Sequence, residues 1–193
     1  MAYQNLAAGL HSKCVAFDGP ELIAEGEAGA IARIVKRRIE DKPHAQILIF
    51  DEETSHPVEI DFEQEEDALE GWIASWGPRS EQISPGPGRP KLGVVAREVT
   101  LLPRHWEWLT EQPGGASVAL RKLVEEARKS PKDVARRAQE SAYRFILTMA
   151  GDREGFEEAS RALFAGDTGR FEAATATWPP DVRSYALRLV RNL

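Results

Sequence analysis

Apolar and polar residues alternate in short runs near the start of the chain. Two apolar runs, Lys13–Phe17 and Glu21–Ala24, flank the tripeptide Asp18-Gly19-Pro20. These three residue types favour a tight turn, and a tight turn between two β-rich runs joins them as an antiparallel hairpin. The pattern therefore predicts two paired strands.

The residues that follow predict a helix and two further strands. Over residues 27–41 apolar side chains recur at intervals of three and four, the spacing of one face of an amphipathic helix. A continuous β-rich run covers Ala45–Phe50, and the alternation over residues 58–62 is typical of a strand with one buried face. A short acidic helix at Glu65–Trp76 would complete an α+β domain at residues 1–76.

A segment rich in proline and glycine, GPRSEQISPGPGRPKL at residues 77–92, comes next. With so few bulky apolar residues it cannot offset the entropy lost on ordering, so we predict a linker to a helical domain at residues 93–193. Within it, PGPGRPK resembles the Gly-Arg-Pro core of an AT-hook, in which an extended arginine enters a narrow A·T minor groove. This resemblance makes Arg89 and Lys91 candidate nucleic-acid contacts.

Beyond the linker the pattern is strand, proline, helix, glycine turn, helix. The pattern predicts a strand at Val94–Leu102, a first helix at Pro103–Glu111, a turn at Pro113-Gly114-Gly115 and a second helix at Ser117–Arg128. This layout resembles a ribbon-helix-helix protein. In that fold two chains pair one strand each into a ribbon that enters the DNA major groove, and the start of the second helix holds a phosphate.

The ribbon-helix-helix resemblance implies a DNA-binding homodimer joined through residues 94–109. Ser117 would cap the second helix and hold the phosphate. Trp106 and Trp108 also favour a dimer, because two residues two apart in a helix point about 160 degrees from each other, more than one core covers. Together with the linker cations, the candidate DNA-binding residues are Arg89, Lys91, Arg97, Thr100, Arg104, Ser117, Arg121 and Lys122.

The phase of the strand departs from the ribbon-helix-helix pattern, because its apolar residues fall mostly at groove-facing positions. Counting back from Pro103, the core-facing residues would be Leu102, Thr100 and Glu98, and the groove-facing residues Leu101, Val99 and Arg97. A shift of one residue exchanges the two faces of a strand. Either a bulge precedes Pro103, or the strand packs on the core of its own chain.

The last third of the chain predicts a helical bundle over residues 130–193 with an internal repeat. AGDREGFEEA at 150–159 returns as AGDTGRFEAA at 165–174, fifteen residues later. Capping explains both copies: Gly151 and Gly166 would end one helix in the left-handed conformation, and Asp152 and Asp167 would cap the next. We therefore interpret the repeat as structural.

The net charge of −6 is unevenly distributed along the chain. Residues 1–76 hold 6 Lys and Arg against 16 Asp and Glu, residues 77–137 hold 12 against 7, and residues 138–193 hold 7 against 8. A basic segment in an acidic protein is typical of a polyanion-binding surface, since each neutralised phosphate releases counterions. Solvated Lys and Arg on ordinary helices would give the same count, so charge leaves both interpretations open.

Residue types that carry catalysis or bind metal are few and scattered. Cys14 is the only cysteine, which excludes an intramolecular disulfide and favours a small buried residue in a strand. The four histidines have no metal-binding spacing, and GxGxxG, GxxxxGKS/T and GxSxG motifs are absent. No metal, cofactor or catalytic residue is predicted. Without a signal peptide or an apolar run of roughly 18 residues, a cytoplasmic protein is expected.

Several segments carry a more specific resemblance: GRPKLGVVAREVTLLPRHWEWL, GGASVALRKLVEEAR, AYRF and MAGDREGFEEASRALFAGD. They are similar to an uncharacterised bacterial family known as a domain of unknown function. The resemblance spans nearly the whole chain and implies a bacterial origin and a shared fold, but no activity. The leading hypothesis is DNA binding or regulation. The alternatives are a protein-interaction module without a nucleic-acid role and an enzyme without a recognisable motif.

Overall fold

Three antiparallel strands form a sheet in the computed structural model, which describes residues 13–60 and 97–193. The central strand β1 (Lys13–Asp18) lies between β2 (Glu21–Glu27) and β3 (Ile47–Asp51). The predicted hairpin of β1 and β2 is confirmed. Gly19 makes its turn with a φ of 58°, a value that glycine adopts without steric cost.

The described helices begin with α1 (Ala28–Asp41), which follows the hairpin directly. Its apolar side is buried at Ile31, Ala32 and Val35, as the amphipathic spacing predicts. The later helices are α2 (Pro103–Glu111), α3 (Gly115–Lys129), α4 (Pro131–Ala150), α5 (Phe156–Ala165), α6 (Thr168–Ala174) and α7 (Pro180–Arg191). A small sheet followed by a mainly helical region confirms the predicted α+β class.

The strand predicted at residues 58–62 does not form over residues 58–60. The chain reverses tightly after β3: the Asp51 carboxylate accepts hydrogen bonds from the backbone N–H and the hydroxyl of Thr54, and Ser55 has a φ of 52°. The loop brings Pro57 opposite Phe50 in an isolated bridge. Residues 61 and 62, the predicted helix at 65–76 and the predicted linker at 77–92 lie outside the described residues.

Both faces of the sheet are covered by helices. On one face, Cys14 and Ala16 of β1 pack with α1. On the other face, Val15 and Phe17 pack with helices α4 to α7, and Phe17 lies 5.6 Å from the ring centroid of Phe145. Burial on both faces explains why β1 reads as a continuous apolar run rather than as an alternation.

The described residues fall into two compact units. Residues 13–60 and 135–193 form the first, and residues 97–134 form the second. The helical domain predicted at residues 93–193 instead joins residues 130–193 to 94–128. Residues 135–193 belong with the sheet because Phe17 and Phe50 present a large apolar face that α4 to α7 bury.

In the second copy of the C-terminal repeat, the glycine and the aspartate have the structural roles that were predicted. In the first copy they do not. Gly166 ends α5 with a φ of 69°, and the Asp167 carboxylate accepts the Arg170 N–H at 2.9 Å and caps α6, as predicted. In the first copy the left-handed glycine is Gly155, which directly precedes α5 with a φ of 85°. The left-handed conformation predicted for Gly151 is wrong, because its φ is not positive, and Asp152 does not cap α5, because that helix begins at Phe156 and Gly155 precedes it.

Candidate interaction surface

The described residues among the predicted DNA contacts all lie in the unit at 97–134. Arg89 and Lys91 lie outside the described residues. The other six side chains are exposed: Arg97, Thr100, Arg104, Ser117, Arg121 and Lys122. The fold therefore brings the described candidates into one unit and leaves each of them accessible.

The predicted ribbon strand is not formed over residues 97–102, and residues 94–96 lie outside the described ranges. In a ribbon-helix-helix protein the strand pairs with a second chain, so a ladder within one chain is not expected. Val99 and Leu102, which belong to opposite phases of the predicted strand, are both exposed. Over residues 97–102, therefore, neither face of the predicted strand packs on the core of its own chain.

Helix α2 has the predicted bounds, and its proline explains where it begins. Pro103 occupies the first helical position, where the missing N–H costs nothing. The Leu102 carbonyl then accepts the N–H groups of His105 and Trp106 at 2.8 and 3.3 Å. This start places Arg104 in the first turn and Trp106 and Trp108 in the middle of the helix.

Helix α3 begins two residues earlier than predicted, which corrects the role of Ser117. The residue before the helix is Gly114, with a φ of 88°, and no side chain caps the helix there. Gly115 also has a positive φ of 75° and is the first helical residue. Ser117 is the third residue of the helix and does not occupy the capping position, because the two glycines make the turn by themselves.

The two-helix hairpin of α2 and α3 buries few of its own apolar side chains. Within residues 97–134 the buried residues are Leu109 and Ala119, which are 3% and 7% exposed. By contrast, Trp106 and Trp108 are 38% and 49% exposed. We call the large exposed apolar residues of this hairpin, together with the residue directly before α2, its apolar surface: Leu102, Trp106, Trp108, Leu123 and Val124.

The charges of the hairpin are balanced, and most of them form no ion pair in the part of the chain that the structure describes. Residues 97–134 hold seven Lys and Arg against six Asp and Glu. Glu125 and Arg128 form an ion pair at 3.2 Å. Among the described residues, the charges without an ion pair include Arg104, Glu107 and Glu111 of α2, and Arg121 and Lys122 of α3.

Outside the hairpin, the unusual titratable groups have structural roles. Burial, followed by the Asp51 carboxylate, raises the pKa of Cys14 to about 12, which keeps the thiol protonated and unreactive. Burial also raises the pKa of Tyr185 to about 12. In the described ranges, no group of three or more His, Cys, Asp and Glu residues could hold a metal ion.

The described helices also include none that is both long and apolar enough to cross a membrane. The apolar surface of α2 and α3 is interrupted by charged residues at Glu107, Arg121 and Lys122.

Sequence reasoning located this hairpin but missed what distinguishes it. The prediction concentrated on cations, whereas the structure leaves the apolar side of α3 exposed at Leu123 and Val124. The spacing of Trp106 and Trp108 was the one sequence signal that indicated an uncovered surface. No sequence signal indicated that Glu107 and Glu111 would form no ion pair within the described ranges, because the partners of a charged residue are set by the fold.

A family model described as "Uncharacterized protein conserved in bacteria (DUF2239)" matches residues 13–190. Comparison with curated proteins gives no match. Comparison with solved structures gives none either. The match covers both units of the chain, including the whole hairpin.

Proposed function

Since the chain belongs to this bacterial family of uncharacterised proteins, its role has to be argued from its own surfaces, and we propose that residues 97–134 form a protein-interaction module. The observation that carries the proposal is the exposure of Trp106 and Trp108 on a hairpin whose buried residues are Leu109 and Ala119. Tryptophan is enriched among the residues that dominate binding energy at protein interfaces.

The energetics of the hairpin favour an interface over a free surface. Two buried side chains are a small core for two helices, and burial stabilises by roughly 25 cal/mol for each Å² of apolar surface. Covering the apolar surface would therefore stabilise the hairpin as well as bind the partner. Single exposed apolar residues are common on protein surfaces, but four on two consecutive helices, with Leu102 directly before them, are typical of a contact region.

The hairpin also has the mixed apolar and charged composition of a transient interface. Its apolar residues are interspersed with Glu107, Arg121 and Lys122, which are exposed. Charged groups of both signs around an apolar centre select a partner by complementary charge and raise the rate of encounter. The proposed module therefore binds a polypeptide and not a lipid surface.

Site-specific photo-cross-linking tests this proposal. A benzoylphenylalanine at Trp108 in the full chain, expressed in the bacterium that encodes it, is expected to give a product heavier than one chain. The matched control places the same group at Phe164, an aromatic residue that is 54% exposed in the other unit. Equal cross-linking at the two positions, or none at Trp108, would contradict the proposal.

DNA binding is a second candidate, favoured by the exposed cations without ion pairs in the described residues: Arg97, Arg104, Arg121 and Lys122. Binding through them should weaken steeply with salt, by about 0.9 in the logarithmic slope for each phosphate contacted. The measurement is a gel-shift titration of the full chain against mixed duplex DNA at low salt. Affinity no tighter than roughly 100 μM, the weak end of nonspecific binding, would exclude this candidate.

A further inference from the structure

We infer that the partner of the interaction module is a second copy of this chain, with α2 of each copy lying against α3 of the other. This inference rests on the proposed function. It goes further because it names the partner and the pairing of the helices. Three observations carry it: the signs of the unpaired charges, their balance, and the positions of the two tryptophans.

Among the described residues, acids predominate over cations among the charges of α2 that form no ion pair, and cations predominate on α3. Glu107 and Glu111 are four residues apart on α2 and therefore lie on one side of it. Arg121 and Lys122 lie on α3. Within one copy these acids and cations form no ion pairs in the described residues. In a two-fold dimer every contact occurs twice, so placing α2 against the partner's α3 would match both pairs of charges at once.

The balance of charge favours a copy of the same surface over a strongly charged partner. With seven cations and six acids, residues 97–134 have little net attraction for a polyanion or a polycation. Because the surface carries both signs, a two-fold axis can place the acids of one copy opposite the cations of the other. An isologous interface requires this property.

The two tryptophans need covering from two directions. Trp106 and Trp108 are separated by about 160 degrees around α2, so α3 of the same hairpin covers one side at most. A standard interface takes about 800 Å² from each partner, so the apolar surface would form the centre of such an interface and the adjoining charged residues its rim.

Charge reversal in the full chain tests the crossed pairing. One variant reverses the acids of α2 (Glu107→Lys, Glu111→Lys), and the other reverses the cations of α3 (Arg121→Glu, Lys122→Glu). Sedimentation should show that the wild-type chain dimerises and that each variant alone self-associates at least about tenfold more weakly, the size expected for losing close charge pairs. An equimolar mixture of the two should recover the wild-type affinity within about threefold.

A third variant controls for a general change in charge. Glu40→Lys with Glu53→Lys makes the same change in net charge at exposed positions of the other unit. It should dimerise like the wild-type chain, and mixing it with the α3 variant should not restore affinity. Circular dichroism and thermal unfolding confirm that every variant is folded before its association is compared.

The outcomes separate this inference from the proposed function. A wild-type chain that is monomeric from 1 to 100 μM would overturn the inference, as would a mixture that associates no better than its components. Cross-links from position 108 to a different polypeptide, found with a monomeric chain, would overturn the inference and leave the proposed function in place. An absence of cross-links together with a monomeric chain would overturn both.

Discussion

The hydroxyl groups of Ser55 and Ser141 lie 2.9 Å apart in the buried interior and join the loop after β3 to α4. Ser55 has a φ of 52°, which is uncommon for a residue with a side chain. Arg144, one turn further along α4, donates a hydrogen bond to the Thr54 carbonyl of the same loop. These contacts fix the helices of the C-terminal segment on the N-terminal sheet.

A double-mutant cycle should show that the two hydroxyls depend on each other. Ser141→Ala leaves the buried Ser55 hydroxyl without its partner and is expected to destabilise by about 1–3 kcal/mol. Adding Ser55→Ala should cost little more, because no unpaired hydroxyl then remains. Urea unfolding measures each free energy, and fully additive losses would contradict the coupling.

Gly155 should be the least replaceable glycine of the repeat. It combines a φ of 85° with a position where an added Cβ would overlap the carbonyl oxygen of Ala174. Gly155→Ala is therefore expected to destabilise by about 2–4 kcal/mol, from the left-handed backbone and the overlap together.

Gly166 provides the matched control for Gly155. It has a similar φ of 69°, but an added Cβ would meet nothing within 4 Å. Gly166→Ala should therefore cost only the backbone term, about 1–2 kcal/mol. Thermal unfolding of the two variants decides the point, and equal losses would show that the packing against Ala174 is unimportant.

Asp18 should make the stability of the first unit depend on pH. Its carboxylate accepts hydrogen bonds from Lys42, Arg38 and the Gln46 N–H, and the hydrogen bond from Lys42 contributes most to lowering its pKa to about 2. A carboxyl whose pKa is lower in the folded chain stabilises above its unfolded pKa near 4 and loses that contribution as pH falls towards 2.

The variant Asp18→Asn isolates this contribution. It should lower the melting temperature at pH 7, and the gap to the wild-type chain should narrow as the pH falls from about 5 to 2. The measurement is a series of thermal scans at constant ionic strength. A gap that stays constant across this range would show that the charge of Asp18 does not stabilise the fold.

Local patterns in the sequence predicted several elements of the fold, although the strands predicted at residues 58–62 and 94–102 do not form over their described residues. The hairpin, α1 and both ends of α2 follow from turn residues, helical spacing and the position of Pro103. Each of these signals acts over a few residues, so tertiary contacts do not change it. The start of α3 was missed because Gly114 and Gly115 make its turn without the side-chain cap predicted for Ser117.

Relationships between distant residues were harder to predict. The pairing of the sheet with residues 135–193 depends on Phe17 and Phe145, which are far apart in the chain. The continuous apolar run of β1 indicates burial on both faces but does not say what covers each face. In the candidate surface, the positions of cations could be predicted, whereas the exposure of Leu123 and Val124 depends on which helices pack together.

The central claim is that Trp106 and Trp108 lie in a protein interface in the cell. Hydroxyl-radical footprinting with mass spectrometry measures the solvent accessibility of each tryptophan directly. The measurement is made in the native bacterium and in the purified chain at about 1 μM. At this concentration a complex with a micromolar dissociation constant is largely dissociated. Trp178, which is 4% exposed, is the internal reference for a buried ring. We predict that Trp106 and Trp108 are oxidised readily in the dilute chain and protected in the cell, while Trp178 stays protected in both. Equal oxidation of Trp106 and Trp108 under the two conditions would contradict the claim.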